Sequence, residues 1–275
     1  MRRARDPSGP GGWVRPTAVA GQFYDADPDR LRAQVERYVD RATPRPDLGT
    51  PKAVIAPHAG FRYSGPTAGF AYRAIAPRRD TVTRVVLIGP AHRVRVPGVG
   101  VSTARAWATP LGEVPVDVDV VRSLLDHPSV VEADEAHASE HSLEVHLPFL
   151  MATLGPFSLV PLVVGHCPIP DVATVLRQVW GGDETLVVAS TDLSHYHDDA
   201  TARVLDRRTA DAIVARDAGS LGPGDACGRV PVAGLLVAAS WMGLDVHLLD
   251  LSTSADTEGP PERVVGYGSF ALVPA

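Results

Sequence analysis

Three stretches of the chain, residues 52–56, 84–88 and 185–189, are short, apolar and rich in β-branched side chains, with no polar residue alternating through them. Strands buried on both faces read this way. Residues 27–39 follow a different rhythm: Asp27-Pro28 opens the segment, and Leu31, Val35 and Val39 then recur every fourth position, as on one face of an amphipathic helix. Helices are also expected over 65–75, 118–125, 141–154, 169–179, 200–215 and 232–242, and further strands over 98–102, 158–164, 246–252 and 264–273, the last interrupted by Gly266 and Gly268. Strands alternating with helices predict a layered α/β/α domain. No internal repeat is visible. Residues 1–15 are rich in Pro, Gly and Arg without periodicity, which predicts a flexible N-terminal arm and a single domain over 16–275.

Composition narrows the function classes. With 275 residues the chain can bury a full core, and 45% hydrophobic against 21% charged residues is the balance of an ordinary globular protein. A formal net charge of -6, with no dense Lys/Arg run beyond the first few positions, argues against nucleic acid as a partner. No apolar run is long enough to span a membrane, and the opening residues lack the apolar region of a signal peptide, so no membrane association and a cytoplasmic location are expected. In that reducing setting Cys167 and Cys227 read as a buried thiol and a free thiol or metal ligand, rather than as a disulfide.

The most informative pattern is that each of the three apolar runs ends in a loop bearing histidine: V-I-A-P-H at His58, V-V-L-I-G-P-A-H at His92 and V-V-A-S-T-D-L-S-H at His195. In open α/β sheets ligands sit beyond the carboxyl ends of the strands, so three such strands can aim three imidazoles into one pocket. One histidine of this kind often does no more than hydrogen-bond its loop; three repeats weaken that alternative. Tyr63, in the loop after His58, and His197 are reserve candidates for the same pocket. His127, His137, His166 and His247 read as structural or exposed.

Cys227 lies in G-D-A-C-G-R-V-P, just before the apolar segment 232–242, with Pro231 near the first helical position. A helix N-terminus favours the thiolate, the form that binds metals, so two histidines and Cys227 could hold an ion. A buried thiol without chemistry is the alternative. A second cluster, S-E-H-S-L-E-V-H-L-P-F-L, places Glu140 and Glu144 one helical turn apart with His141 between them. It can supply an acid, a base or a partner to a ligand, or be a solvated helix face. It lacks the H-E-x-x-H arrangement of zinc peptidases.

Eight blocks in order, V-A-G-Q-F-Y, A-P-H-A-G-F-R-Y-S-G, I-G-P-A-H, T-P-L-G, E-H-S-L-E-V-H-L-P-F-L, S-T-D-L-S-H, C-G-R-V-P and V-V-G-Y-G, resemble the Memo family over 19–273. The bacterial branch named AmmeMemoRadiSam system protein B is the most similar in pattern. The resemblance implies a three-layer α/β/α fold with a central mixed, largely parallel sheet, like that of class III extradiol dioxygenases, where iron(II) is held by two histidines and a carboxylate. It implies His58 and His92 as metal ligands, with Cys227 in place of the carboxylate. A thiolate broadens the choice from iron(II) towards copper or zinc and changes the redox poise.

By the same resemblance Asp192 and His195 line the pocket, His195 as the residue that moves a proton and Asp192 as the group that orients it. Tyr63, Glu144 and His146 become residues that line the site or support its ligands. Thr191 and Val230 are mild departures from the family pattern. The implied function is metal-dependent redox or dioxygenase-like chemistry on an unknown small substrate. The alternative is a non-catalytic protein that holds a metal, a small molecule or a peptide in the same pocket. The branch name adds a functional association with a radical-SAM protein as a partner, or a metal-assisted hydrolytic or modification step.

Overall fold

The computed structural model describes residues 12–275; the part of the expected arm before Gly12 lies outside the described residues. The arm ends earlier than expected, because Val14–Arg15 already form a strand, β1, and the Arg15 side chain is fully buried.

Along the chain follow α1 (Pro28–Arg41), β2 (Ala53–Ala56), α2 (Phe61–Ile75), β3 (Arg84–Pro90), β4 (Val99–Val101), β5 (Ala106–Thr109) and β6 (Gly112–Pro115). Next come α3 (Val118–Leu124), β7 (Val130–Glu132), α4 (Asp134–Ala138), α5 (Leu147–Thr153), β8 (Ser158–Val164) and α6 (Ile169–Gln178). The chain continues through β9 (Thr185–Ser190), β10 (His195–His197), α7 (Asp199–Val214), α8 (Arg229–Trp241), β11 (Leu244–Thr253) and β12 (Val264–Pro274).

The main sheet runs β10-β12-β2-β9-β3-β8-β4-β7, with β11 paired to β12. Its centre, β2-β9-β3-β8, is parallel, and antiparallel pairings of β12 with β2 and of β4 with β8 border it. Every residue of β2 and β9 is buried, which is why neither shows polar alternation; each fully buried Val, Ile or Leu contributes roughly 1.5–3 kcal/mol. Helix α2 packs on β2, β11 and β12 with α1 and α5 against it, while α8 packs on β3, β9 and β11 with α6 against it, and α7 packs on β11 and β12. The result is the expected three-layer α/β/α arrangement. A small second sheet, β1-β5-β6, was not foreseen, since a two-residue strand carries no periodicity.

Local chemistry accounts for the element ends. Asp27 caps α1 by accepting from the Asp29 and Arg30 amides, with Pro28 at the first helical position. Helix α2 begins one turn before the expected residue 65, so Tyr63 sits in its first turn rather than in a loop. The expected helix over 141–154 is shorter: a 3-10 turn spans Glu144–His146 and α5 begins only at Leu147. The Glu140 carboxylate accepts from the amides of His141 and Ser142 at 2.9 and 3.0 Å, which fixes a turn where apolar spacing had suggested a helix. Strand β12 is continuous through Gly266 and Gly268. Gly266 is there for a close approach, since a Cβ would stand 1.8 Å from the Asp206 carboxylate on α7.

Candidate metal centre

The site grows from the carboxyl ends of three adjacent parallel strands. His58 lies two residues past β2, Asp192 two past β9 and His92 two past β3, and in the sheet β9 stands between the other two. Backbones of second-neighbour strands are about 10 Å apart, so His58 and His92 lean together over the end of β9, their ring centroids 5.1 Å apart. The third imidazole of this group is His141, from the turn before α5, not the expected His195. One ring nitrogen from each of His58, His92 and His141 lies within 4.8 Å of the others.

Hydrogen bonds set which nitrogen is free. The single proton of the Ser190 hydroxyl goes to the Ser142 carbonyl at 2.6 Å, so at its 2.6 Å contact with His58 Nδ1 it must accept. His58 therefore carries its proton on Nδ1 and turns a bare Nε2 lone pair inward. Burial first, then His92 and His141, hold this imidazole well below its ordinary value, so it is neutral.

Glu140 plays the matching part for His92, accepting from its backbone amide at 2.6 Å and facing its Nδ1 at 3.0 Å. Burial works to raise the Glu140 carboxyl, but hydrogen bonds from His141, His92 and the Ser142 amide outweigh it and keep it ionised. A carboxylate facing Nδ1 places a His92 proton there, so Nε2 is the nitrogen left to bind an ion. Carboxylate or hydroxyl, then histidine, then an inward lone pair is the arrangement that supports metal-bound histidines.

Cys227 stands beside His58, with Sγ 3.3 Å from its Nε2 and accepting from the Asp192 amide at 3.3 Å, without joining the three clustered imidazoles. Gly228 makes that position possible: a Cβ there would stand 2.4 Å from the Ser190 carbonyl oxygen, so only glycine lets the loop touch the end of β9. Helix α8 starts two residues later, yet it does not produce a thiolate. Burial and the Asp192 charge push the thiol up to about 12. The thiolate expectation is corrected accordingly: without a cation beside it, Cys227 keeps its proton. Both cysteines are free.

The remaining candidates separate into neighbours and supports. Asp192 is buried and accepts from the His58 amide at 2.7 Å, and burial raises its carboxyl above the ordinary range. His195 opens β10, its Nδ1 giving a proton to the Leu193 carbonyl at 2.8 Å, and its ring is partly exposed. It lies close enough to influence His58 and Asp192, near the group without joining the three clustered imidazoles. Tyr63 is half-buried under the Arg62 guanidinium, 4.6 Å from its ring centroid.

His146 is buried, paired through Nδ1 with the Tyr72 hydroxyl at 2.6 Å, and its Nε2 has no hydrogen-bond partner. Burial, then His58, lower it to about 3.

Glu144 does not line the pocket. It is fully buried and forms an ion pair with Arg15, and it accepts from the Ala18 and Val19 amides at 2.7 and 3.0 Å and from the Tyr24 hydroxyl at 2.5 Å. Both of its oxygens are taken, so it serves as the anchor of the segment that carries Phe23, whose ring packs 4.8 Å from His141. Sequence reasoning noticed Glu140 and His141 but placed them on a helix. It missed Ser190 and Tyr72, whose roles depend on partners 48 to 132 residues away.

His92 and Cys227 also line a cavity of about 870 Å³ that runs along the loop after β3, the end of β8 and the start of α8. The donors thus border a space of small-molecule size. No helix among the described residues is long and apolar enough to cross a membrane.

The sequence has relatives along nearly its whole length. A MEMO1 family protein of Methanothermobacter thermautotrophicus is 36% identical over 279 residues, covering 94% of this chain and 100% of its own. One from Methanopyrus kandleri is 37% identical, covering 94% and 98%, and one from Thermotoga neapolitana is 35% identical, covering 94% and 99%. The family profile described as Memo-like protein matches residues 15–271, a span that opens on the buried Arg15 and closes in β12, and the chain belongs to the Memo family.

Proposed function

We propose that the chain binds a redox-active transition metal with His58, His92 and Cys227, and uses it in oxygen-dependent, dioxygenase-like chemistry on a small substrate. One observation carries this reading: two separate hydrogen-bond relays, Ser142–Ser190–His58 and Glu140–His92, hold the Nδ1 side of two adjacent imidazoles and leave Nε2 as the ligand atom of each, beside a thiol 3.3 Å from one of them. His141 is within reach as a further donor. Iron(II) suits the two imidazoles and an open pocket, and the sulfur donor also admits copper or zinc. When bound, the metal would supply electron transfer and polarisation of coordinated oxygen donors.

The chain's own residues do the rest. His58 and His92 are oriented before any ion arrives. A metal held by Cys227 would require loss of the thiol proton, so affinity is expected to rise with pH. His195, its Nδ1 proton held by a carbonyl, presents Nε2 as a base at the rim, and Asp192 fixes the loop of His58 through its amide. Burial of Asp192 and His58 keeps water from the inner side of the group.

The test is elemental analysis after anaerobic purification and loading with iron(II), copper(I) or zinc, with His58→Ala and Cys227→Ala alongside. Near-stoichiometric metal lost in both variants is expected, and no metal under any condition sinks the proposal. Stoichiometric metal without oxygen uptake on any small substrate would instead favour a metal-holding protein that does not turn over.

A further inference from the structure

The cavity beside the donors has a charge of its own. Its wall carries Arg93, Arg95, His92 and His166 and no carboxylate, in a chain whose net charge is -6. Arg93 and Arg95 are exposed, and neither makes an ion pair with an acidic side chain among the described residues. The same lining includes apolar Val94, Val96, Val230 and Pro231. Guanidinium groups recognise planar or tetrahedral oxyanions through paired N–H donors, and a concave wall of one charge sign concentrates ligands of the other.

We infer that the site selects small organic anions, with a carboxylate or phosphate held by Arg93 and Arg95 and an apolar body on Val94, Val96, Val230 and Pro231, so that the ligand's far end reaches His92 and Cys227. This rests on the reading of His58, His92 and Cys227 as the reactive end of the cavity. It adds what that reading lacks, a class of substrate. The two arginines follow His92 by one and three residues, so the loop that delivers a donor also delivers the selector.

The experiment is calorimetric titration of the metal-loaded full chain at low ionic strength with three probes of similar size: benzoate, phenyl phosphate and neutral benzamide. Benzoate or phenyl phosphate is expected to bind at least about tenfold more tightly than benzamide, and whichever is tighter identifies the oxyanion. In Arg93→Gln/Arg95→Gln the preference should vanish while metal content, read by elemental analysis, stays at the parent level. Arg93→Lys/Arg95→Lys should restore part of it.

Equal binding of the three probes, binding of none, or a preference that survives the glutamine variant overturns the inference. Failure of the metal proposal looks different. The protein then holds no metal, yet the metal-free chain titrated with the same probes still shows or lacks the anion preference.

Discussion

A single hydroxyl proton decides how the His58 imidazole faces the site. Ser190 gives that proton to the Ser142 carbonyl and can only accept from His58 Nδ1, so the ring cannot turn its bare nitrogen away without stranding a buried donor. Ser190→Ala removes this constraint while leaving every candidate ligand in place. It is expected to weaken metal affinity by about 10–100-fold, the usual effect of losing a support behind a metal-bound histidine. Glu140→Gln should do the same through His92. Competition titration against a chelator measures both, and parent-like affinity in both variants would remove the relays from the account. His58 and His92 were legible in the sequence because each closes an apolar strand run. Ser190 was not, because a serine at a strand end has no signature until its carbonyl partner is known. His141 was visible as a residue but not as a neighbour of the other two, since the turn that points it inward is made by the Glu140 carboxylate rather than by any spacing of apolar positions.

Among elements, the short strand β1 ties down more of the molecule than its length suggests. Arg15 reaches from it into the core, pairs with Glu144, gives its Nε proton to the His137 carbonyl at 2.8 Å and lies over the Trp107 ring at 4.3 Å. Arg15→Ala would leave Glu144 buried without its cation. The expected loss is about 3–5 kcal/mol, whereas replacing both partners by apolar residues of similar size should cost much less. Urea unfolding of the single and double variants separates these cases, and a loss under 1 kcal/mol for Arg15→Ala would contradict the burial argument. Periodicity could not reveal this, because β1 is too short to show a pattern and Glu144 looked like one carboxylate of a helix face. By contrast α1, β3, β8 and β9 were readable almost to the residue, since each is long enough to bury a full face or both faces. Gly228 belongs to this scale as well. Gly228→Ala is expected to push the loop before α8 off the end of β9 and to cut metal retention, seen as lost metal in a chain whose far-ultraviolet circular dichroism is unchanged.

For the molecule as a whole, buried imidazoles make acid the weak point. His137 is held down to about 4 and His146 to about 3, in both cases chiefly by burial, against an ordinary value of 6.5 that the unfolded chain regains. Below 6.5 the unfolded state binds protons that the folded state refuses, so stability present above that pH drains away as pH falls towards the folded values. From pH 7.5 to 5.5 each imidazole is expected to cost about 1 kcal/mol, read as a falling urea midpoint, and a flat midpoint over that interval would contradict it. The three-layer order was legible from alternation of strands and helices. The neighbours of each strand were not, because pairing partners are chosen by packing across the whole chain.

That sheet order also has a consequence for how the protein is made. Strand β2, which delivers His58, is flanked by β9 and β12, and the register of β12 on β2 involves Phe270, Ala271 and Leu272. On a ribosome the first candidate donor to emerge therefore waits for nearly the last residues of the chain before its strand has both neighbours, and Cys227 follows His92 by well over a hundred residues. Long-range pairing of this kind forms late and slowly. A nascent chain thus exposes histidines without a pocket, and any ion this group takes would be taken only after β12 has paired with β2.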